Sequence, residues 1–206
     1  AETDVRRVRR SLTPDEFVRL VKAAANGPEI QCICGLDRVM LYKFDEDGHG
    51  EVVAEEKLDD MEPYMGLHFP ESDIPQPARK MFLSNWIRVI PDSHIAPITL
   101  FPAHNPISNQ PTDLTLSILR SPFACHLEYL HNMNVGASLT ISLMKDRKLW
   151  GLIACHHRTP KHVPYELRKA CEFLGQVIFA ELSTREEAAD YNYRMKLASV
   201  QSALID

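Results

Sequence analysis

The sequence predicts an α+β domain: a central antiparallel sheet with helices on one face and a pocket on the other. Three observations predict it. Two pairs of strand-like runs, within 37–57 and 136–157, are each joined by a tight turn, as hairpins are. An irregular stretch rich in Pro, Asn, His and Asp, about 58–122, separates the pairs. A very long helical pattern closes the chain from about Pro164.

The elements follow in order. Residues 1–10 are charged and Arg-rich, and read as an N-terminal stub. "TPDE" at 13–16 starts a helix: Thr13 caps it, Pro14 suits the first turn and Glu16 completes a capping box. Phe17, Val18, Leu20, Val21 and Ala24 form its apolar face, and "NGP" at 26–28 breaks it. "DRVMLYKF" (37–44) and "GEVVAEEK" (50–57) are strands about the turn "DEDGHG". In the irregular middle, "PARKMFLSN" (77–85) is helical, and "IRVI" and "IAPITL" are short strands. An insertion of this length in a compact domain is usually functional or disordered, and its scattered apolar residues argue for order.

Residues 123–133 suit a helix. In "GASLTISLMKDRKLWGLIACHH", two strands meet at a Lys-Asp-Arg turn. Leu139, Ile141 and Leu143 alternate with Ser138, Thr140 and Ser142, so one face is apolar and the other carries small hydroxyls. The last helix would bury Leu167, Ala170, Cys171, Leu174, Val177 and Ile178. After Ser183 it turns polar and outlasts its domain, as a connector or pairing helix does. The expected organisation is a stub at 1–10, one domain at 11–182 and a connector helix at 183–206.

Bulk properties exclude several function classes. The chain has 206 residues, 45% hydrophobic and 25% charged, enough for one core without staples. A net charge of −5 disfavours nucleic acid and anionic membranes as partners. No apolar run approaches the roughly 20 residues of a membrane span. The five cysteines show no paired CxxC spacing, against a disulfide framework or structural zinc. A reducing, cytoplasmic setting is expected, with Cys32, Cys34, Cys155 and Cys171 serving as small hydrophobes. A chain that starts without Met is expected to be an excised fragment.

"SPFACHLEYLHNM" (121–133) asks the chemical question, because it sets Cys125 beside His126 at a helix start. Asp73, Arg88, Arg120 and "CHH" at 155–157 are the other unusual polar groups. Alternation puts His156 and Ala154 on one strand face, with Cys155 and His157 on the other. A histidine ending a buried strand is ordinarily a satisfied core histidine. Three functional readings stand. Cys125, His156 and Asp73 have the residue types of a cysteine hydrolase triad. Cys-His pairs could bind metal, although adjacent side chains diverge. Cys125 could anchor a cofactor covalently, with the arginines, hydroxyls, histidines and aspartate around it. Only this last reading uses every group.

"LHFPESDIPQPARKMF", "ILRS" before "CHLEYLHNM", "GASLTISL" and "LWGLIACHH" together resemble the chromophore-binding GAF domain of phytochromes, closest to the cyanobacterial type, over about Leu36 to Leu182. The resemblance implies a red/far-red photoreceptor module that binds a linear tetrapyrrole (bilin). It implies that Cys125 forms a thioether to the A-ring side chain without a separate lyase. A neighbouring imidazolium or the helix N-terminus would lower the thiol pKa. Phycocyanobilin is the implied pigment, with phytochromobilin and biliverdin as alternatives. Biliverdin-binding relatives generally use an upstream cysteine that this chain lacks.

The roles implied for the other residues go position by position. Asp73 of "DIP" faces the pyrrole N–H groups and the D-ring side. His126 sits by the pyrrole nitrogens and helps keep the bilin protonated, since a buried cation needs acceptors. Arg88 and Arg120 hold the propionates, because guanidinium is a bidentate carboxylate partner. Ser138 and Thr140 make propionate-side contacts. His156 bonds the D-ring carbonyl. Tyr42, Tyr64, Tyr129, Phe69 and Ile74 wall the pocket. Light would rotate the D ring about C15=C16, and the change would pass down the terminal helix.

Some positions depart from the pattern. Phe69 stands where many relatives have Tyr, "NWIR" replaces a commoner Asn-Pro before Arg88, and the "NGPEIQCIC" break is unexpected. Neither the PAS nor the PHY domain of whole relatives is present, and the insertion before Arg120 resembles their lasso. Altered far-red state formation is therefore expected. No enzymatic activity beyond self-attachment is implied, since kinase output would lie elsewhere. The final helix could pair in a homodimer. A GAF domain holding another small molecule is the alternative.

Overall fold

The computed structural model describes residues 35–203. The expected helix at 13–24, its break, Cys32 and Cys34 lie outside them. The elements are β1 (Arg38–Phe44), β2 (Gly50–Lys57), β3 (His68–Phe69), a 3-10 turn (Glu71–Asp73), α1 (Gln76–Ser84), β4 (Ile87–Ile90), α2 (Ala124–Asn132), β5 (Ala137–Lys145), β6 (Lys148–His157) and α3 (Tyr165–Ala203).

The strands form one sheet in the order β3-β2-β1-β6-β5-β4, and every pairing is antiparallel. Local chemistry makes both hairpins. Asp146 and Arg147 sit at φ of 50° and 62° between paired Lys145 and Lys148. That is the primed two-residue turn whose twist matches the strands. In the β1–β2 turn, Gly48 takes φ 84° and the Asp45 N–H donates to the His49 carbonyl at 2.9 Å. The β1–β2 ladder shifts between Leu41 and Tyr42, an irregularity of the kind that re-aims side chains near functional sites.

Alternation along the strands splits the sheet into two faces. On one face Leu139, Ile141, Leu143, Ile153 and Cys155 are buried with Leu41, Ile87 and Val89. The helix α3 covers this face through Cys171 and Phe179, with Leu167 and Leu174 packed beside them. The α3 register differs from expectation. Ala170 and Val177 are exposed, Val177 by 47%. The line against the sheet is Cys171, Gly175 and Phe179, four residues apart. A Cβ on Gly175 would stand 2.9 Å from Ile141 Cγ2, so the missing side chain lets the helix lie close. The Ile178 side chain is outside the described ones.

The opposite face carries α1, α2 and the insertion. Leu127 and Leu130 of α2 pack on Ile90 and Val135. Two expectations for the middle are corrected. "IAPITL" forms no strand: Pro97 lacks an N–H donor, and no strand edge runs beside it. The short edge strand β3 was not foreseen, because two residues carry no periodicity. Apolar side chains of the insertion point largely outward, with Phe101 99% and Ile107 95% exposed. Its last part is tied down: Asn85 Nδ2 donates to the Thr115 carbonyl at 2.6 Å, and Ile118 packs against the core.

Close approach of β1 and β6 yields a stability prediction. A Cβ on Gly151 would lie 2.4 Å from the Tyr42 carbonyl oxygen, which is backbone and cannot swing aside. Gly151→Ala is expected to destabilise the fold by about 1–3 kcal/mol. The urea midpoint should fall with an unchanged slope. An unchanged midpoint would show that the two strands can separate there at no cost.

Candidate chromophore site

Strand register assembles the site floor. Arg38 pairs with His156, His156 with Ser138, and Ser138 with Ile90. One step along, Met40 pairs with Ala154, Ala154 with Thr140, and Thr140 with Arg88. In the next row Tyr42 pairs with Leu152 and Leu152 with Ser142. Directly paired residues share a face, so this lattice is the polar side opposite the α3 core. The hydroxyl face read from the alternation is therefore the floor, joined by His156, Tyr42 and Arg88.

Loops and α2 supply the walls. Tyr64, Phe69 and Ile74 pack with the buried Met40, Tyr42, Val52 and Leu152. The Tyr42 ring lies 5.8 Å from that of Phe69 and 5.2 Å from that of Phe44. Asp73 ends the 3-10 turn, exposed, and lies close enough to the Tyr129 hydroxyl to affect its titration. Burial, then nearby Tyr129 and Asp73, push the Tyr42 hydroxyl up to about 12. Burial, then Asp73, push Tyr129 up to about 12 as well. Both phenols stay neutral donors.

Cys125 is the second residue of α2 and is an exposed free thiol. Phe123, the N-cap, makes no side-chain capping bond, so first-turn N–H groups beside Cys125 lack a side-chain partner. Tyr129 follows four residues later on the same helical face. His126 is solvent-accessible, yet enough protein surrounds its ring that burial, then the Arg88 charge, lowers its pKa.

Arg88 and His156 are the groups most open to a new partner on this face. Arg88, half-buried, donates Nη1–H to the Ile118 carbonyl at 2.5 Å and Nη2–H to the Arg120 carbonyl at 2.6 Å. Burial, then the Arg120 charge, pulls it down to about 10. Arg120 donates to the Ser117 carbonyl at 2.8 Å and lies 3.3 Å from Met81 Sδ. Neither arginine has a carboxylate in these bonds. The second group is His156, whose Nδ1 is buried without a hydrogen-bond partner. Burial, then Arg38 and His126, lowers its pKa to about 3.

These residues fit a polar, carboxylate-bearing organic ligand. Two guanidiniums suit its acids, His156 Nδ1 suits a ring carbonyl or N–H, and Cys125 suits a covalent anchor. No group of three or more His, Cys, Asp or Glu that could hold a metal occurs among the described residues. Every site residue read from the sequence falls on this one face or its rim. Arg38 and its partner Glu55 were missed. Alternation with Met40 and Tyr42 in "RVMLY" was the available signal for Arg38. His157 points the other way and pairs with Asp37, Nδ1 to Oδ2 2.9 Å, while Cys155 and Cys171 lie in the core.

The fold and site define a class. The GAF domain family model matches residues 29–185, and the chain belongs to that family. Within it the chain is similar to cyanobacterial phytochrome A of Nostoc sp., at 68% identity over 86% of this chain and 23% of the relative. It is 61% identical to the phytochrome-like protein Cph1 of Synechocystis sp., over 86% of this chain and 24% of that protein. Among solved structures, the chromophore-binding domain of an unusual bacteriophytochrome from R. palustris superposes with a TM-score of 0.78 at 38% identity. That match covers 85% of this chain and 62% of the other. The chain spans about a quarter of the length of these curated relatives.

Proposed function

We propose that this chain is the bilin-binding, light-sensing module of a phytochrome. One observation carries the reading: an exposed thiol at the start of α2 stands at the rim of a sheet face that carries two guanidiniums whose bonds include no carboxylate, an orphaned His156 nitrogen, Asp73 and three tyrosines. The similarity to cyanobacterial phytochromes supports it. It also favours phycocyanobilin over phytochromobilin or biliverdin.

Cys125 Sγ would hold the bilin by adding across the exocyclic double bond of its A ring, with the S–H proton going to the adjacent carbon, an addition that needs no oxidant or leaving group. Arg88 and Arg120 trade backbone carbonyls for propionates, a stronger charge-assisted pairing. His126 and the Asp73 carbonyl would accept from pyrrole N–H groups, which would favour the cationic pigment. His156 Nδ1 gains its missing partner at the D ring. Tyr42, Tyr64, Tyr129, Phe69 and Ile74 shape the space in which that ring turns, over the floor hydroxyls of Ser138 and Thr140. A bound bilin supplies visible-light absorption and C15=C16 isomerisation.

Residues 11–182 form the sensory domain in this reading, and 183–206 the connector. The α3 helix runs unbroken across that division and exposes Tyr191 and Met195 beyond it. Output passes along it to PAS and PHY domains and to a second copy in a homodimer. The proposed setting is the cytoplasm. No described helix is long and apolar enough to cross a membrane.

The test is co-expression with phycocyanobilin synthesis, followed by a denaturing gel stained with zinc. Fluorescence travelling with the chain supports the reading. A dark band at full expression would overturn it, and a GAF domain holding another small molecule would replace it.

A further inference from the structure

Arg38 and Glu55 form an ion pair beneath the site, with both side chains only 3% exposed and Nε 3.2 Å from Oε1. Burying two charges is costly unless other bonds complete their shells. The facing atoms, Arg38 Nε and Glu55 Oε1, form no hydrogen bond with each other or with any other group among the described residues, and the bonds that the rest of the two side chains make lead to one segment. Glu55 Oε2 accepts from the backbone N–H of Tyr64 at 2.8 Å and of Met65 at 3.0 Å. Arg38 donates Nη2–H to the Glu62 carbonyl, and its guanidinium carbon stacks 3.7 Å from the Tyr64 ring centroid. Backbone and ring of one residue are thus held by the two members of one ion pair.

Tyr64 needs such a hold. It lies in the loop between β2 and β3 and borders, with Arg38, Met133 and Asn134, a cavity of about 450 Å³. The ring packs on the cluster of Met40, Tyr42, Val52 and Leu152 but faces open space on the cavity side, where packing does not fix it. Tyr64 also stands close enough to Tyr129 to affect its titration. Arg38 occupies the sheet position next to His156.

We infer that Arg38 and Glu55 are positioning residues: their buried ion pair clamps Tyr64 as the wall of the site beside His156. Neither needs to touch the ligand. The inference rests on the bilin reading only for its photochemical readout.

The experiment compares the full chain with Glu55→Gln, Tyr64→Ala and the double variant, all loaded with phycocyanobilin. A second pair, Arg38→Met with Glu55→Met, removes both charges without stranding one, an exchange that buried pairs often tolerate. The zinc-stained band should persist in the Glu55→Gln and double Met variants, and photoproduct yield is taken per attached pigment in every variant. Photoproduct yield should fall about threefold or more in Glu55→Gln and in the double Met variant, a size typical of coupled neighbours. In the Tyr64→Ala background Glu55→Gln should add nothing. An equal further loss there, or an unchanged yield in Glu55→Gln, would overturn the clamp.

A pigment-free arm separates the two readings. With 3-fluorotyrosine at position 64, the fluorine resonance of the folded chain should be displaced from its denatured position. Glu55→Gln should move it most of the way back. An unmoved resonance would overturn the clamp whatever the fate of the bilin. A dark zinc band with a moved resonance would overturn the bilin reading alone.

Discussion

Cys125→Ala is expected to reduce zinc-stained fluorescence of the denatured chain to background, while leaving the fold intact. The two halves of the result have separate causes. Addition to the pigment needs a nucleophile at that point on the rim, and alanine has none. Cys155 and Cys171 cannot substitute, because both lie wholly buried in the core under α3. Burial also raises the Cys155 thiol well above its ordinary range, so it holds its proton. Stability should move by no more than about 0.5 kcal/mol, because Cys125 is exposed. Cys125→Ser should behave alike, since a hydroxyl is a far weaker nucleophile without an activating base. Pigment bound through Arg88, Arg120 and His156 would still colour the native variant and be stripped by denaturation. A fluorescent band in Cys125→Ala at native intensity would remove Cys125 from the anchoring role.

The second large effect is a loss of stability in mild acid, centred on His156. Its ring is buried between Arg38 and Ser138, and its pKa falls to about 3 from an ordinary 6.5. The unfolded chain therefore binds the proton first as pH falls. Stability contributed by the neutral ring is complete above about pH 6.5 and is lost progressively down to about pH 3. At pH 5 the loss is about 2 kcal/mol, from roughly 1.4 kcal/mol per pH unit. His126, also lowered, acts in the same direction. Urea midpoints at pH 7.5 and pH 5 measure this in the native chain and in His156→Gln. The variant should lose distinctly less on acidification, since its carboxylates and the Asp37–His157 pair are shared with the parent. Equal losses in both would show that His156 is not the group being protonated.

Much of the site was legible because it rests on local rules. Ser138, Thr140 and Ser142 alternate with Leu139, Ile141 and Leu143, and a strand has only two faces. The turn at Asp146 and Arg147 was legible from short-range chemistry, as was a helix beginning near Cys125. The Arg38–Glu55 pair was not legible in that way. Its two members belong to neighbouring strands, and its purpose appears only where the loop at Tyr64 returns over them. Nor was the α3 register, because Val177 is as apolar as Phe179 and a long helix offers several plausible stripes. Close approach at Gly175 chose among them.

The sequence by itself determined which residue types lie on each strand face, where the hairpins turn and that a thiol begins α2. These are properties of a few consecutive residues and their backbone preferences. Only the tertiary structure decided that the pKa values of His156 and His126 fall, that Arg88 is turned onto the carbonyls of Ile118 and Arg120, and that Tyr64 is held by a buried ion pair. Charge state and hydrogen-bond partnership depend on what else is within a few ångströms. For these groups the neighbours come from strands and loops distant in the chain, brought together by sheet register.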